Sequence, residues 1–342
     1  MGQLTLSRRL GFLEAGRDVD TILKELEHEL DYRGVVQNMP WIDKVLRKNP
    51  IYLRFKTPTS FFAANSRRLA TERLQDEKHS GVDMLDGFLE AKKKHPEIVD
   101  DATLFGYIST NFLAGSDTTA VTLRTILWYV IRTPGVLDRL RKELDENITS
   151  YPPDYATATG LKYLDAIIRE ALRIHPIGSL VFERVVPPTG HITTQSGTHL
   201  PAGTQIAQTP WTLNWDSSIW GPEPRKFKPE RWLQYENESD DTYAKRLTML
   251  KNYDFSFSHG PRACLGKHIA WMEIVEVVPT LFGLLDVSSL LHISWRWHGS
   301  VIADEWSDSP VSFGDSVIFQ IFHDQVHSST RHQRVSEIKN YL

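Results

Sequence analysis

Cysteine is nearly absent: Cys264 stands alone in 342 residues. One thiol cannot form an intrachain disulfide, which excludes a disulfide scaffold and fits a reducing compartment. A signal core is lacking too, because Met1 is followed by Gly-Gln-Leu-Thr-Leu-Ser-Arg-Arg. So is any long uncharged apolar run. The most apolar stretch, 105–131, holds Asp117 and Arg124 and reads as a buried helix of a soluble protein. The chain as written is expected to be neither exported nor membrane-spanning, so the sequons at Asn147 and Asn237 read as chance. Excess positive charge is also missing. A net charge of −4 argues against a general polyanion binder, nucleic acid included.

What remains is an ordinary globular composition, 41% hydrophobic and 24% charged. The length suffices for one large core or two ordinary ones. Apolar spacing predicts a helix over 12–32, a short one over 41–47, and charged helices over 62–78 and 83–94. Asp100 or Asp101 can cap a long helix that runs to Arg132 and stops at Thr133-Pro134-Gly135. Helices are expected over 136–147 and 161–174. Short strands follow at 180–186, 191–194 and 205–208, then a long coil over 214–263 and an apolar helix from Gly266 to about Leu285.

Three constellations carry chemistry. The first is Phe257-Ser258-His259-Gly260-Pro261-Arg262-Ala263-Cys264-Leu265-Gly266. Phe257 offers an aromatic face, and Gly260 and Gly266 permit tight turns or close approach to a flat ligand. Arg262 brings a cation to the sulfur or to a ligand carboxylate. Cys264 precedes a helix, where amide N–H groups favour a negatively charged thiolate ligand. An inert buried cysteine is the bland alternative. A zinc site on His259, Cys264 and His268 is another, though structural zinc ordinarily takes four ligands at paired short spacings.

The second is Ala114-Gly115-Ser116-Asp117-Thr118-Thr119, a glycine, an acid and hydroxyls inside an apolar helix. Glycine there costs about 1 kcal/mol against alanine, and the polar groups need partners. The bland alternative is a polar patch facing solvent or a neighbouring helix. The third is Glu170-Ala171-Leu172-Arg173, an i,i+3 pair that in isolation reads as a surface ion pair. It is followed by Pro229-Glu230-Arg231-Trp232.

Together, in their order along the chain, from Ala114 through Glu170 and Pro229 to Cys264, these segments resemble the cytochrome P-450 family. F-x-x-G-x-R-x-C-x-G matches its haem-ligand signature at every defined position. A-G-x-D-T-T resembles its oxygen-activation motif. E-x-x-R resembles its namesake, and P-E-R-W resembles P-E-R-F with tryptophan in the last place. The resemblance implies haem b with Cys264 as axial thiolate and Arg262 on a propionate. It implies Phe257 beside the sulfur and Gly260 where the loop passes beneath the porphyrin. Ala114 and Gly115 would let the helix lie close over the haem. Thr118 would hydrogen-bond dioxygen or its water, and Asp117 would relay protons. Arg184 stands where a second propionate-binding arginine is common. Phe112, Thr119, Leu180 and Val181 would face the substrate, and Lys267 and His268 a redox partner. Glu170, Arg173 and Arg231 would form a structural triad that locks the coil carrying Cys264.

The implied fold is mainly α with small β-sheets, a partial haem domain over 1–285 and a divergent, poorly ordered tail over 286–342. The family's anchor, first strands, early helices and substrate-gating loop find no counterpart. The tail, with Ser294-Trp295-Arg296-Trp297-His298, does not match either. A truncated or mis-spliced product is therefore expected. The opening Leu4–Leu13 and the haem loop loosely resemble filamentous-fungal members of the pisatin demethylase-like and benzoate hydroxylase-like branches. The implied activity is an NADPH-supported monooxygenase, served by a cytochrome reductase. It would hydroxylate or demethylate a small apolar or aromatic molecule in secondary metabolism or detoxification. The full-length parent would sit on the cytosolic face of the endoplasmic reticulum, and this chain in the cytoplasm. The alternative is a non-catalytic relic with weak or no haem binding.

Overall fold

Two aspartates set the start of two helices. Asp83 accepts from the backbone N–H of Asp86 while the Asp86 carboxylate accepts from the N–H of Asp83, a complete capping box. Asp100 accepts from the N–H of Thr103 at 2.8 Å. The Thr103 hydroxyl and N–H hold its carboxyl below the usual range. The computed structural model describes residues 1–36, 39–55, 61–76, 82–178 and 183–285. The tail over 286–342 lies outside the described residues.

The described chain forms two compact units that meet in sequence at Asp117 and Thr118. The first holds α1 (Gly2–Leu6), α2 (Phe12–Ala15), α3 (Ile22–Val36), α4 (Pro40–Leu46), α5 (Pro50–Phe55), α6 (Phe61–Leu74) and α7 (Met84–Lys94). It also takes the first part of α8 (Asp101–Arg132). Its core joins Leu6, Leu69, Ala70, Leu85, Leu104, Ile108 and Phe112. Beside that core, Arg73 is buried between Asp83 at 2.9 Å and Asp86 at 2.7 Å. The helix expected over 12–32 is broken. Gly16 ends α2 in a left-handed conformation, and Asp18 accepts from the N–H groups of Leu23 and Lys24 to start α3.

The second unit holds the rest of α8, then α9 (Val136–Asn147), α10 (Tyr155–Gly160) and α11 (Lys162–Ile174). Leu164, Ile167, Ile168, Leu172 and Ile174 of α11 are all buried. Each is worth about 1.5–3 kcal/mol on burial, which makes α11 the central helix of this unit. Four two-residue strands follow: β1 (Arg184–Val185), β2 (Ile192–Thr193), β3 (His199–Leu200) and β4 (Gln205–Ile206). β1 pairs antiparallel with β4, Arg184 opposite Ile206, and β2 with β3, Ile192 opposite Leu200. β2 and β4 are shorter than the strands expected over 191–194 and 205–208, and 180–182 of the first expected strand lie outside the described residues.

The coil expected over 214–263 also needs correction. α12 (Pro210–Asn214) runs up to its start, and α13 (Ser217–Trp220), a 3-10 turn at Pro229–Trp232 and α14 (Asp240–Tyr253) lie within it. Ser239 caps α14, and Asp240 and Asp241 favour its N-terminal dipole. Only Leu250 of α14 is buried, so it has too little apolar face to be seen by periodicity. α15 (Lys267–Leu284) matches expectation and packs on α9, α10 and α11. Among the described residues no helix is long and apolar enough to cross a membrane.

Candidate functional site

The second unit presents the Cys264 segment as a tight loop between α14 and α15. Ser258 and Gly260 take positive φ of 57° and 70°, a conformation that glycine adopts without strain. Gly260–Arg262 form a 3-10 turn. The Cys264 N–H donates to the Phe257 carbonyl at 2.9 Å, and the Ala263 N–H to the Gly260 carbonyl at 3.0 Å. His259 is bonded to the Asp254 carbonyl at 3.0 Å. The loop leaves Cys264 exposed and Leu265 100% exposed. Arg262 is exposed and makes no ion pair among the described residues. A Cβ added at Gly266 would lie 3.9 Å from the Cys264 sulfur.

The same unit holds a buried charge network. Glu170 and Arg173 are 0% and 1% exposed. Arg173 holds Glu170 with two bonds of 2.8 Å and donates to the Asn214 carbonyl at 2.6 Å. The Lys228 N–H and the Trp232 indole N–H also donate to Glu170, at 2.9 and 3.0 Å. Arg231 Nε approaches Glu170 to 3.3 Å, a charge contact rather than an aligned hydrogen bond. Its other nitrogens serve the carbonyls of Trp220, Pro222 and Glu223. A carboxylate this deep is tolerated because it is paired and fully hydrogen-bonded. The expected triad therefore assembles, with Trp232 as a further donor. Next to it, burial pushes the His175 imidazole down to about 4.

The remaining predicted residues divide between the units. In the first, Phe112 sits in the apolar core, Ala114 is exposed, and Gly115 and Asp117 are half-buried. A Cβ at Gly115 would fall 2.6 Å from the Met1 side chain, so this glycine admits a close neighbour. In the second, Thr118 is exposed and Thr119 is buried. Thr122 and Thr125 return hydroxyl bonds to the carbonyls of Thr118 and Val121, which satisfies them within the helix. Arg184 is exposed on β1, with one bond to the Glu183 carbonyl. Lys267 and His268 are exposed at the start of α15. Leu180 and Val181 lie outside the described residues.

Sequence reasoning passed over Glu273. Burial pushes its carboxyl up, and a hydrogen bond from Thr119 works the other way. The available signal was an acid in the middle of the apolar run of α15. Among the described residues no group of three His, Cys, Asp or Glu is disposed to hold a metal ion, which removes the zinc alternative.

The chain matches the family model for cytochrome P-450 over residues 3–288. It belongs to the cytochrome P-450 family. It is 39% identical over 297 residues to the cytochrome P-450 monooxygenase vrtE of Penicillium aethiopicum, covering 83% of this chain and 57% of that one. Against the monooxygenase cfoH of Aspergillus candidus it is 37% identical over 311 residues, covering 88% and 57%. A crystal structure of a cytochrome P-450 superposes with a TM-score of 0.62 at 22% identity, over 83% of this chain and 59% of the other. That likeness concerns the fold, mainly helical with small sheets as expected. The P-450 chain thus spans a little under three fifths of the length of these relatives. Their family is enzymatic and uses haem iron and electrons from a reductase.

Proposed function

We propose that this P-450 chain carries the thiolate side of a haem site in a monooxygenase that hydroxylates or oxidatively demethylates a small apolar or aromatic molecule in fungal secondary metabolism. The exposed Cys264 loop carries this reading. Its donor set suits the group: one soft sulfur, presented to solvent, between two glycines that leave room for a flat macrocycle. Arg262 lies on the same turn and is the first candidate partner for a propionate, with Arg184 the second. When bound, the haem would supply the oxygen chemistry: two electrons and two protons reduce O₂, one oxygen atom enters a substrate C–H bond and the other leaves as water.

The rest falls to side chains of this chain. The Glu170–Arg173 network holds the coil that precedes the loop, so the sulfur keeps its position. Asp117 and Thr118, both on α8, are each candidates for handling protons, the carboxyl as acid and the hydroxyl as hydrogen-bond donor. Thr119, with Leu180 and Val181, is a candidate for shaping the substrate space, whereas Phe112 is committed to the apolar core of the first unit. Electrons would come from an NADPH-dependent reductase, with the exposed Lys267 and His268 as candidate docking residues. The test is the spectrum of the reduced, carbon monoxide-treated protein. A thiolate-type Soret band in the wild-type chain that disappears in Cys264→Ser supports the reading. A chain that takes up no haem refutes it.

A further inference from the structure

The tryptophan at the end of Pro229-Glu230-Arg231-Trp232 makes bonds a phenylalanine could not. Its indole N–H donates to Glu170 Oε2 at 3.0 Å, and the side chain is only 2% exposed. The same residue faces α14. Its ring shares a buried cluster with Ala166, Trp220 and Leu250, against which Leu247 and Leu233 pack. Its carbonyl accepts from the Tyr243 hydroxyl at 2.9 Å. The flanking carbonyls of Arg231 and Leu233 accept from Arg246. Arg246 is in turn held by Glu238 through two bonds of 2.7 Å. α14 ends at Tyr253, and the next residue, Asp254, starts the Cys264 loop by bonding Ser256 and His259.

We propose that Trp232 is a positioning residue for the Cys264 loop, coupling the buried Glu170 carboxylate to α14 and through α14 to the sulfur. This rests on the reading of Cys264 as a ligand, but its physical content is independent of haem. The indole N–H fixes the ring against Glu170. The ring and carbonyl fix α14. The helix then sets where the loop begins. Tyr243 and Arg246 are the clamps on the same path.

Trp232→Phe tests this in the full chain because it keeps the ring and deletes the donor. Native-state amide exchange at Ser258, Ala263 and Cys264 reports the loop, since their N–H groups bond to Phe255, Gly260 and Phe257. Exchange there should quicken about ten-fold, as expected for a lost bond to a charged acceptor. The amides of α7 in the first unit should keep their wild-type rates. Tyr243→Phe leaves the Glu170 bonds intact and should quicken the same three amides about five-fold. After haem loading, both variants should show a smaller share of the thiolate-type band and a larger share of the thiol-type band. A purely structural Trp232 predicts a lower unfolding midpoint with loop exchange and band shares unchanged, and that result overturns the proposal. If the wild-type chain takes up no haem, the ligand reading fails, and the exchange comparison alone decides the positioning role.

Discussion

Arg173→Met is the most demanding test of the buried network. The substitution keeps an apolar stem and deletes the guanidinium. Four hydrogen bonds go: two of 2.8 Å to Glu170, one of 2.6 Å to the Asn214 carbonyl and one of 3.4 Å to the Lys226 carbonyl. Glu170 remains 0% exposed, with Arg231 at 3.3 Å as its nearest cation. Breaking a buried pair from one side costs about 3–5 kcal/mol, a large share of an ordinary domain's 5–15. With a urea m-value of about 2–3 kcal/mol per molar, the midpoint should fall by about 1–2 M. Tryptophan fluorescence is the natural probe, because Trp220 and Trp232 pack 5.5 Å apart beside the network. A second variant sharpens the argument. Replacing both charges, Glu170→Leu with Arg173→Met, is often neutral for a buried pair. Here it orphans the Lys228 and Trp232 N–H groups and the Asn214 carbonyl. Each orphan costs about 1–3 kcal/mol, so the double variant should recover little. A single variant within about 0.3 M of wild type, or a double variant at the wild-type midpoint, would refute this reasoning.

Stability should also depend on His175. Its folded value of about 4 lies below the ordinary 6.5. Between those values the unfolded chain binds a proton that the folded one refuses, so stability falls as pH drops through that window. The loss reaches about 3 kcal/mol near pH 4 and vanishes above about pH 7; His175→Phe should flatten this part of a urea-midpoint profile. In the first unit, Asp83→Ala removes a helix cap and one of two carboxylates on the buried Arg73. A loss of about 2–3 kcal/mol is expected in thermal unfolding, shared between the lost cap and the weakened pairing of Arg73, which keeps Asp86. Ser239→Ala removes only the cap of α14 and should cost about 1 kcal/mol in the same assay.

Helix ends were legible where a short side chain or a breaker marks them, as at Asp83, Asp100 and Thr133-Pro134-Gly135. α14 was missed for the opposite reason. Its apolar stripe is narrow, Tyr243, Leu247 and Leu250 among charged residues, and the cap at Ser239 was the other local sign. The 12–32 segment failed differently: its apolar spacing continues across Gly16, but the backbone turns there. Loss of a helical φ at one glycine outweighs a periodic pattern that carries little burial, since only Leu26 of α3 is buried.

The sequence by itself determined the family and singled out the Cys264 loop, because spacing within one short segment is a local property. Phe257, Gly260, Arg262 and Cys264 need no distant partner to be recognised. Only the tertiary structure decided which charges are buried. An i,i+3 Glu–Arg pair reads the same on a surface as in a core. It is the meeting of α11 with Asn214, Lys228 and Trp232, 41 to 62 residues away, that takes Glu170 and Arg173 out of water. The same holds for Glu273: its place in an apolar run was the sole local sign, and its carboxyl is raised by burial that only packing produces. Desolvation depends on what every other element brings to a point, and that is settled when the elements pack.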